Sequence, residues 1–229
     1  MMLTGRLDGI PLQLDLVALR QQFRMEADSD DAGSLQTLVD GALRVARPKA
    51  LYRIGTIDAR SDDQVVIDGI PFSSRVLRVN LDQIQRVFAF VVTCGTELDT
   101  WRGGVEGFME TYWADAILEH ALRTAIEALK AHLATHYDLR SPAMMNPGSL
   151  PDWPISQQRP LFDLVGQAAE IGVHLTDSYL MRPLKSVSGI LFATDVTYEN
   201  CQLCPVERCP NRRAPYDPTL FDRKYRLVD

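Results

Sequence analysis

The longest apolar ladder in the chain runs from Val105 to about His136. Val105, Phe108, Met109, Tyr112, Trp113, Ala116, Ile117, Ala121, Ala125 and Ala128 recur at three- and four-residue steps, the period of one helix face. Leu118, Leu122, Ile126, Leu129 and Leu133 form a second stripe, so this helix must be covered on two sides. Asp115, Glu119, Arg123 and Glu127 fall four apart on what remains, where an i, i+4 ion-pair row is expected. Gly103-Gly104 opens the helix. A fold with this element at its centre needs further layers, and the rest of the chain has to supply them.

Before residue 50 the supply is helical. Leu12, Leu16, Leu19 and Phe23 predict a short amphipathic helix that breaks at Asp28-Ser29-Asp30-Asp31. A second helix is expected with Ser34 as its cap and Pro48 as its end. From Ala50 the period changes to two. Residues 51–58, 64–67 and 75–79 read as short strands, and Phe88 to Thr93 reads as the most buried strand. Cys94 at its end is expected to be a small buried residue, and Cys94-Gly95-Thr96-Glu97 turns towards a helix.

Leu139 to Pro154 holds prolines at 142, 147, 151 and 154, a density that predicts neither helix nor strand. Met144, Met145, Leu150 and Trp153 give it enough apolar surface to be an ordered wall of a site. Pro160 at a first helical position predicts a helix through Ala169, closed near Gly172. The pattern of strands and helices is α+β, with long helices packed on a sheet.

The 229 residues are ample for a core without disulfides. A net charge of −6 argues against a broad nucleic-acid-binding surface. No apolar run approaches a membrane span, and Met1 to Leu16 lacks a signal-peptide pattern, so a cytoplasmic location is expected. In a reducing compartment cysteines favour metal over disulfide. Three of the four cysteines, Cys201, Cys204 and Cys209, stand as C-x2-C-x4-C, with Pro205 and Pro210 following the second and third. Thiolates gathered on short turns are what a soft metal or iron–sulfur centre needs, and a zinc knot stapling the C-terminus is the alternative.

Several chemistries lack their motifs. No glycine pattern of the dinucleotide or phosphate-loop type follows a strand, and no Gly-x-Ser-x-Gly elbow occurs. His132 and His136 stand four apart without the glutamate of a metalloprotease helix, and a solvated or capping pair is expected there.

Ile171 to Gly189 reads G-V-H-L-T-D-S-Y-L-M-R-P-L-K-S-V-S-G from Gly172 onward. This run resembles the activation domain of cobalamin-dependent methionine synthases, which carries G-x-x-L-T-[ED]-S-x-x-M-x-P-x-x-S-V-S-G. Asn146-Pro147-Gly148 before it and Ala125-Ile126-Glu127-Ala128-Leu129 in the long helix are similar to further family segments.

The resemblance implies an antiparallel sheet with long packed helices, and binding of S-adenosylmethionine beside a corrinoid on another domain. It implies that residues 1–100 contribute helices and strands to the same fold. Residues 101–199 would form the activation-domain-like core, and 200–229 the cysteine cluster and tail. Glu127 would hold the amino or ribose end of the ligand, Gly148 would let backbone approach it, and Ser188 and Gly189 would lie in a turn shaping the site. Tyr198 would take the place of a family tyrosine, and Arg140 that of a clamp on the ligand carboxylate. The family loop reads R-x-x-P-G-Y, whereas here an insertion separates Arg140-Ser141-Pro142 from Asn146-Pro147-Gly148-Ser149 and the tyrosine is absent.

No Asp-x-His-x-x-Gly cobalt-ligand motif occurs, so the expected partner is a separate corrinoid protein or a methionine synthase lacking its own activation domain. The expected function is reductive methylation of that corrinoid with S-adenosylmethionine. An iron–sulfur cluster at the cysteines would supply the electron. A non-catalytic corrinoid-protein-binding module with structural zinc and an S-adenosylmethionine-dependent methyltransferase acting on another acceptor are the alternatives.

Overall fold

A computed structural model describes residues 4–140, 142–194, 198–209 and 212–226. Ser141 and Pro210 from the motifs above lie outside them. The elements in chain order are β1 (Thr4–Leu7), α1 (Leu16–Phe23), α2 (Asp30–Val45), β2 (Lys49–Arg60), β3 (Gln64–Ile67), β4 (Ile70–Ser73), α3 (Arg75–Asn80) and β5 (Arg86–Thr93). Then come α4 (Thr96–Gly103), α5 (Phe108–Tyr137), β6 (Ala143–Met145), α6 (Gln158–Val165), β7 (His174–Leu175), β8 (Met181–Arg182) and β9 (Ser186–Phe192).

The large sheet runs β4-β3-β2-β5-β9-β6, and neighbouring strands are antiparallel throughout. Strand β2 is long enough to hold two partners on one edge. Residues 50–53 pair with β1, and residues 57–60 with β3. Side chains alternate across the sheet with period two. Val87, Ala89 and Val91 of β5 enter one core with Leu161, Leu164 and Trp153, while Phe88, Phe90 and Val92 enter another with Ala125, Leu129 and Leu133 of α5. Burial on both faces is why β5 reads as an unbroken apolar run. The first half of α5 leaves the sheet and packs Trp113, Ile117 and Ala121 against α1, α2 and α4. The helix is thus covered twice, by a sheet and by helices. The expected α+β architecture, an antiparallel sheet with long packed helices, is the one observed.

The structure corrects several local expectations. Ser29, not Ser34, caps α2, its Oγ accepting from Ala32 N–H at 3.2 Å. The acidic run does not only break a helix; Asp30 and Asp31 begin the next one, where carboxylates favour the positive end of the helix dipole. Residues 75–79 are not a strand but α3. Ser74 Oγ accepts from Leu77 N–H at 2.9 Å, and Asp152 accepts from the N–H groups of Arg75 and Val76, so capping outweighs the alternating pattern.

The long helix is two. The Gly103-Gly104 pair ends α4, and α5 starts after Gly107 at φ 92°. Phe108, expected inside, is 88% exposed, and Met109 and Tyr112 are exposed with it. The break re-aims the first turn of α5 away from the core. The proline-rich loop does contain a strand, β6, because its prolines flank the three paired residues without interrupting them. Its Leu150 and Trp153 are buried, as an ordered wall requires. Pro160 lies inside α6, which ends at Val165, and a separate 3-10 turn spans Ala168–Ile171. Ser188 and Gly189 sit within β9 and not in a turn. Among the described residues no helix is long and apolar enough to cross a membrane.

Candidate functional site

Strand β6 pairs only with the last residues of β9, 190–192, and beside the uncovered start of β9 the edge of the sheet opens into a groove. Two adjoining hollows, of about 570 and 710 Å³, share Met144, Val187 and Arg213. The first is walled by Asn146, Gly148, Ser149, Gln158, Ser188, Asn200, Cys201 and Cys204. The second runs along α5 past Glu119, Arg123, Glu127 and Lys130.

The proline-rich loop closes one wall. Gly148 at φ 84° donates its N–H to Trp153 O at 2.7 Å, and a Cβ there would come within 2.7 Å of Ile155 Cδ1. That conformation and that clearance both call for glycine. Asn146 Nδ2 donates to Ser188 O at 2.7 Å and ties the loop to β9. Ser188 Oγ donates to Gln158 Oε1 at 2.8 Å, with both side chains buried. Gly189 is packed from the other direction. A Cβ would meet Asn146 Nδ2 at 2.6 Å and the Met145 carbonyl, so its bareness allows β6 to approach β9.

The opposite wall is a 3-10 turn, Asn200–Leu203, with a capping box between Glu199 and Gln202. Asn200 is only 6% exposed, and its Oδ1 has no hydrogen-bond partner among the described residues. A buried acceptor left open at the wall of a hollow is available to a donor on a ligand or to water.

The three cysteines are not gathered as expected. Cys201 in this turn and Cys204 just after it are half-buried, whereas Cys209 is exposed and does not line the groove. Among the described residues no three His, Cys, Asp or Glu side chains converge to hold a metal ion. A guanidinium organises the loop instead. Arg212 donates to the carbonyls of Cys201 at 3.0 Å, Cys204 at 3.1 Å, Ala214 at 3.1 Å and also Val206. Arg213 N–H donates to Cys201 Sγ at 3.4 Å, and its side chain pairs with Glu199 at 2.8 Å.

On a chain of net charge −6 the groove is locally positive. Arg123, Lys130, Lys185, Arg212 and Arg213 outnumber Glu119 and Glu127 along the larger hollow. Arg123, at 2.6 Å, holds the Glu119 carboxyl below its ordinary range despite partial burial. Glu127 is largely exposed and pairs with Lys130 at 2.9 Å. Within the expected α5 ion-pair row Glu119 and Arg123 pair with each other. Asp115 pairs with Arg102 at 2.8 Å and Glu127 with Lys130.

The structure therefore brings together Glu127, Gly148, Ser188, Cys201 and Cys204, with Gly189 directly behind them. Three others, the exposed Cys209, Arg140 and Tyr198, lie elsewhere. Arg140 is 82% exposed beyond the end of α5 and pairs with Asp138 at 2.7 Å. Tyr198 is buried in the core with Tyr225, and lines a different hollow of about 380 Å³ with Asn80 and Lys224. Burial, above all, raises its hydroxyl pKa well beyond the ordinary value. Sequence reasoning missed Gln158, Asn200, Arg212 and Arg213. The first two are ordinary polar residues whose burial only the fold reveals. Asn146 stands out in the sequence only as the neighbour of Pro147-Gly148.

Residues 125–203 match the family model of the vitamin B12 dependent methionine synthase, activation domain. The resemblance read from the sequence is borne out over that segment. No curated protein sequence matches the chain. Among solved structures, the MetH reactivation domain bound to AdoHcy is similar with a TM-score of 0.64 at 16% identity. The match covers 86% of this chain and 81% of that one. At that identity the likeness is one of fold.

Proposed function

From the activation-domain match over residues 125–203, we propose that the groove binds S-adenosylmethionine, and that the protein uses it to reactivate a corrinoid cofactor held by a separate protein. The observation that carries this reading is one of position. The matched segment supplies Ile126, Glu127, Lys130 and Met144 to one hollow, and Gly148, Ser188 and Asn200 to the other. The related fold solved with AdoHcy, the demethylated form of the same ligand, supports it.

The groove suits the ligand chemically. S-adenosylmethionine carries a carboxylate, an ammonium, a sulfonium and a purine with N–H donors. The cationic lining, Arg213 foremost, answers the carboxylate. Glu127 and Glu119 answer the positive groups. The open Oδ1 of Asn200 accepts an N–H, and Gly148 lets the ligand approach the main chain closely.

The corrinoid, carried by the partner, supplies the cobalt that takes up one electron and then the methyl group. This chain's residues hold and orient the methyl donor, and the sulfonium retains the bonding electron pair and leaves as neutral S-adenosylhomocysteine. The electron donor and the corrinoid protein are outside the chain in this reading.

The test is to mix the protein with an oxidised corrinoid protein, S-adenosylmethionine and a chemical reductant, and to follow the methylcorrinoid spectrum. The expected result is methylcorrinoid formation that depends on both the protein and S-adenosylmethionine. Methylation of a different acceptor, or S-adenosylmethionine binding without corrinoid methylation, would overturn the corrinoid assignment.

A further inference from the structure

The cysteine motif has no task in the proposed chemistry, yet two of its members face the groove. We infer that Cys201 and Cys204 form a dithiol–disulfide couple in the groove wall, and that closing it weakens ligand binding. The effect on binding rests on the S-adenosylmethionine reading; the couple itself does not.

Geometry favours this pair over any other. The two residues stand three apart, Cys201 within the 3-10 turn and Cys204 capping its end, and Cys204 N–H donates to Cys201 O at 3.3 Å. Three residue steps through such a turn rise about 6 Å. That separation falls within the roughly 4.4–6.8 Å Cα window that a disulfide spans. Both residues line the same hollow. The backbone is held from both sides, by the capping box of Glu199 and Gln202 and by Arg212 on the carbonyls of Cys201 and Cys204. Cys209 is exposed and off the groove, and Cys94 is buried among Leu98 and Trp113, so neither competes.

Chemically the couple is complete with a small-molecule disulfide as oxidant. The Cys201 thiolate, whose sulfur already accepts the Arg213 N–H, attacks that disulfide and releases one small thiolate. The Cys204 thiolate then attacks Cys201 Sγ and releases the second. Two electrons pass from the protein to the oxidant, and the two protons lost by the cysteines end on the released thiols. Two sulfurs that lined the hollow beside Asn200 are then pulled onto each other, which reshapes the wall the ligand touches.

The experiment is a titration of the full-length protein through ratios of oxidised to reduced glutathione. Free thiols are counted, bridges are mapped by peptide mass, and S-adenosylhomocysteine binding is measured calorimetrically at each end. The expected result is a fall from four reactive thiols in denaturant to two. A Cys201–Cys204 bridge forms, and affinity drops at least fivefold and is restored by dithiothreitol. Cys209→Ser keeps the behaviour, while Cys204→Ser abolishes both the bridge and the affinity change. A bridge to Cys209, no bridge, thiols occupied by stoichiometric zinc or iron, or a bridge with unchanged affinity would each overturn the inference. If the reduced protein does not bind S-adenosylhomocysteine at all, the proposed function fails, and thiol counting and mapping still decide the couple.

Discussion

Ser188 Oγ donates to Gln158 Oε1 across 2.8 Å, and so joins β9 to α6 at the wall of the groove. Both residues are buried, so neither has water as a substitute partner. Ser188→Ala leaves the Gln158 acceptor unpaired, which costs about 1–3 kcal/mol. Urea unfolding checks this, and Ser188→Ala with Gln158→Leu together should cost less than the sum of the two singly, because both ends of one bond are removed.

Gly189 is expected to be intolerant for a different reason. Alanine there would press on the Met145 carbonyl and Asn146 Nδ2, main chain and loop that have little room to give. The predicted cost of Gly189→Ala is about 1–3 kcal/mol, with faster amide exchange across β6 as the local sign. Unchanged exchange at Ala143–Met145 would contradict it.

Arg140 gives the opposite expectation. Its side chain is exposed and held only by neighbouring Asp138, away from the groove. Arg140→Ala should leave S-adenosylhomocysteine affinity within twofold of wild type and stability within about 1 kcal/mol, the range of a surface ion pair. A tenfold loss would restore it as the carboxylate clamp.

Much of this arrangement was legible in the sequence. The strand period from 50 to 93, the doubly covered helix and the proline-rich wall follow from apolar spacing, and Gly148 and Ser188 from a local motif. Other features depended on tertiary context. Whether 75–79 is strand or helix turned on Ser74 and on Asp152, distant in sequence, and whether Phe108 is inside turned on a glycine break four residues earlier. Asn200 and Arg213 carry no pattern; their place in the groove comes from how the C-terminal segment folds back. The C-x2-C-x4-C spacing allowed three thiols to meet, but Arg212 draws the same loop around its guanidinium and leaves Cys209 outside.

Acid should loosen the helical half first. Asp115 is held below its ordinary value of 3.8, chiefly by the Arg102 guanidinium at 2.8 and 2.9 Å. A depressed carboxylate stabilises fully above the unfolded value, and that stability is lost as the pH falls through the lower folded value. The pair is part-exposed, so its share is at most about 1 kcal/mol. Urea midpoints between pH 6 and 2.5 should fall for wild type and fall less steeply for Asp115→Asn. Identical slopes would remove this pair from the account.

The central claim is that the groove between α5, the start of β9 and the Asn200 turn is where the methyl donor sits. Its most direct measurement is a calorimetric titration of S-adenosylhomocysteine into wild type and the Arg213→Ala variant. Arg213 lines both hollows and is partly exposed, so its removal tests the ligand contact with little effect on folding. The account predicts one-to-one binding to wild type and at least tenfold weaker binding to the variant. Absence of binding to wild type, or equal affinity in both, would contradict it.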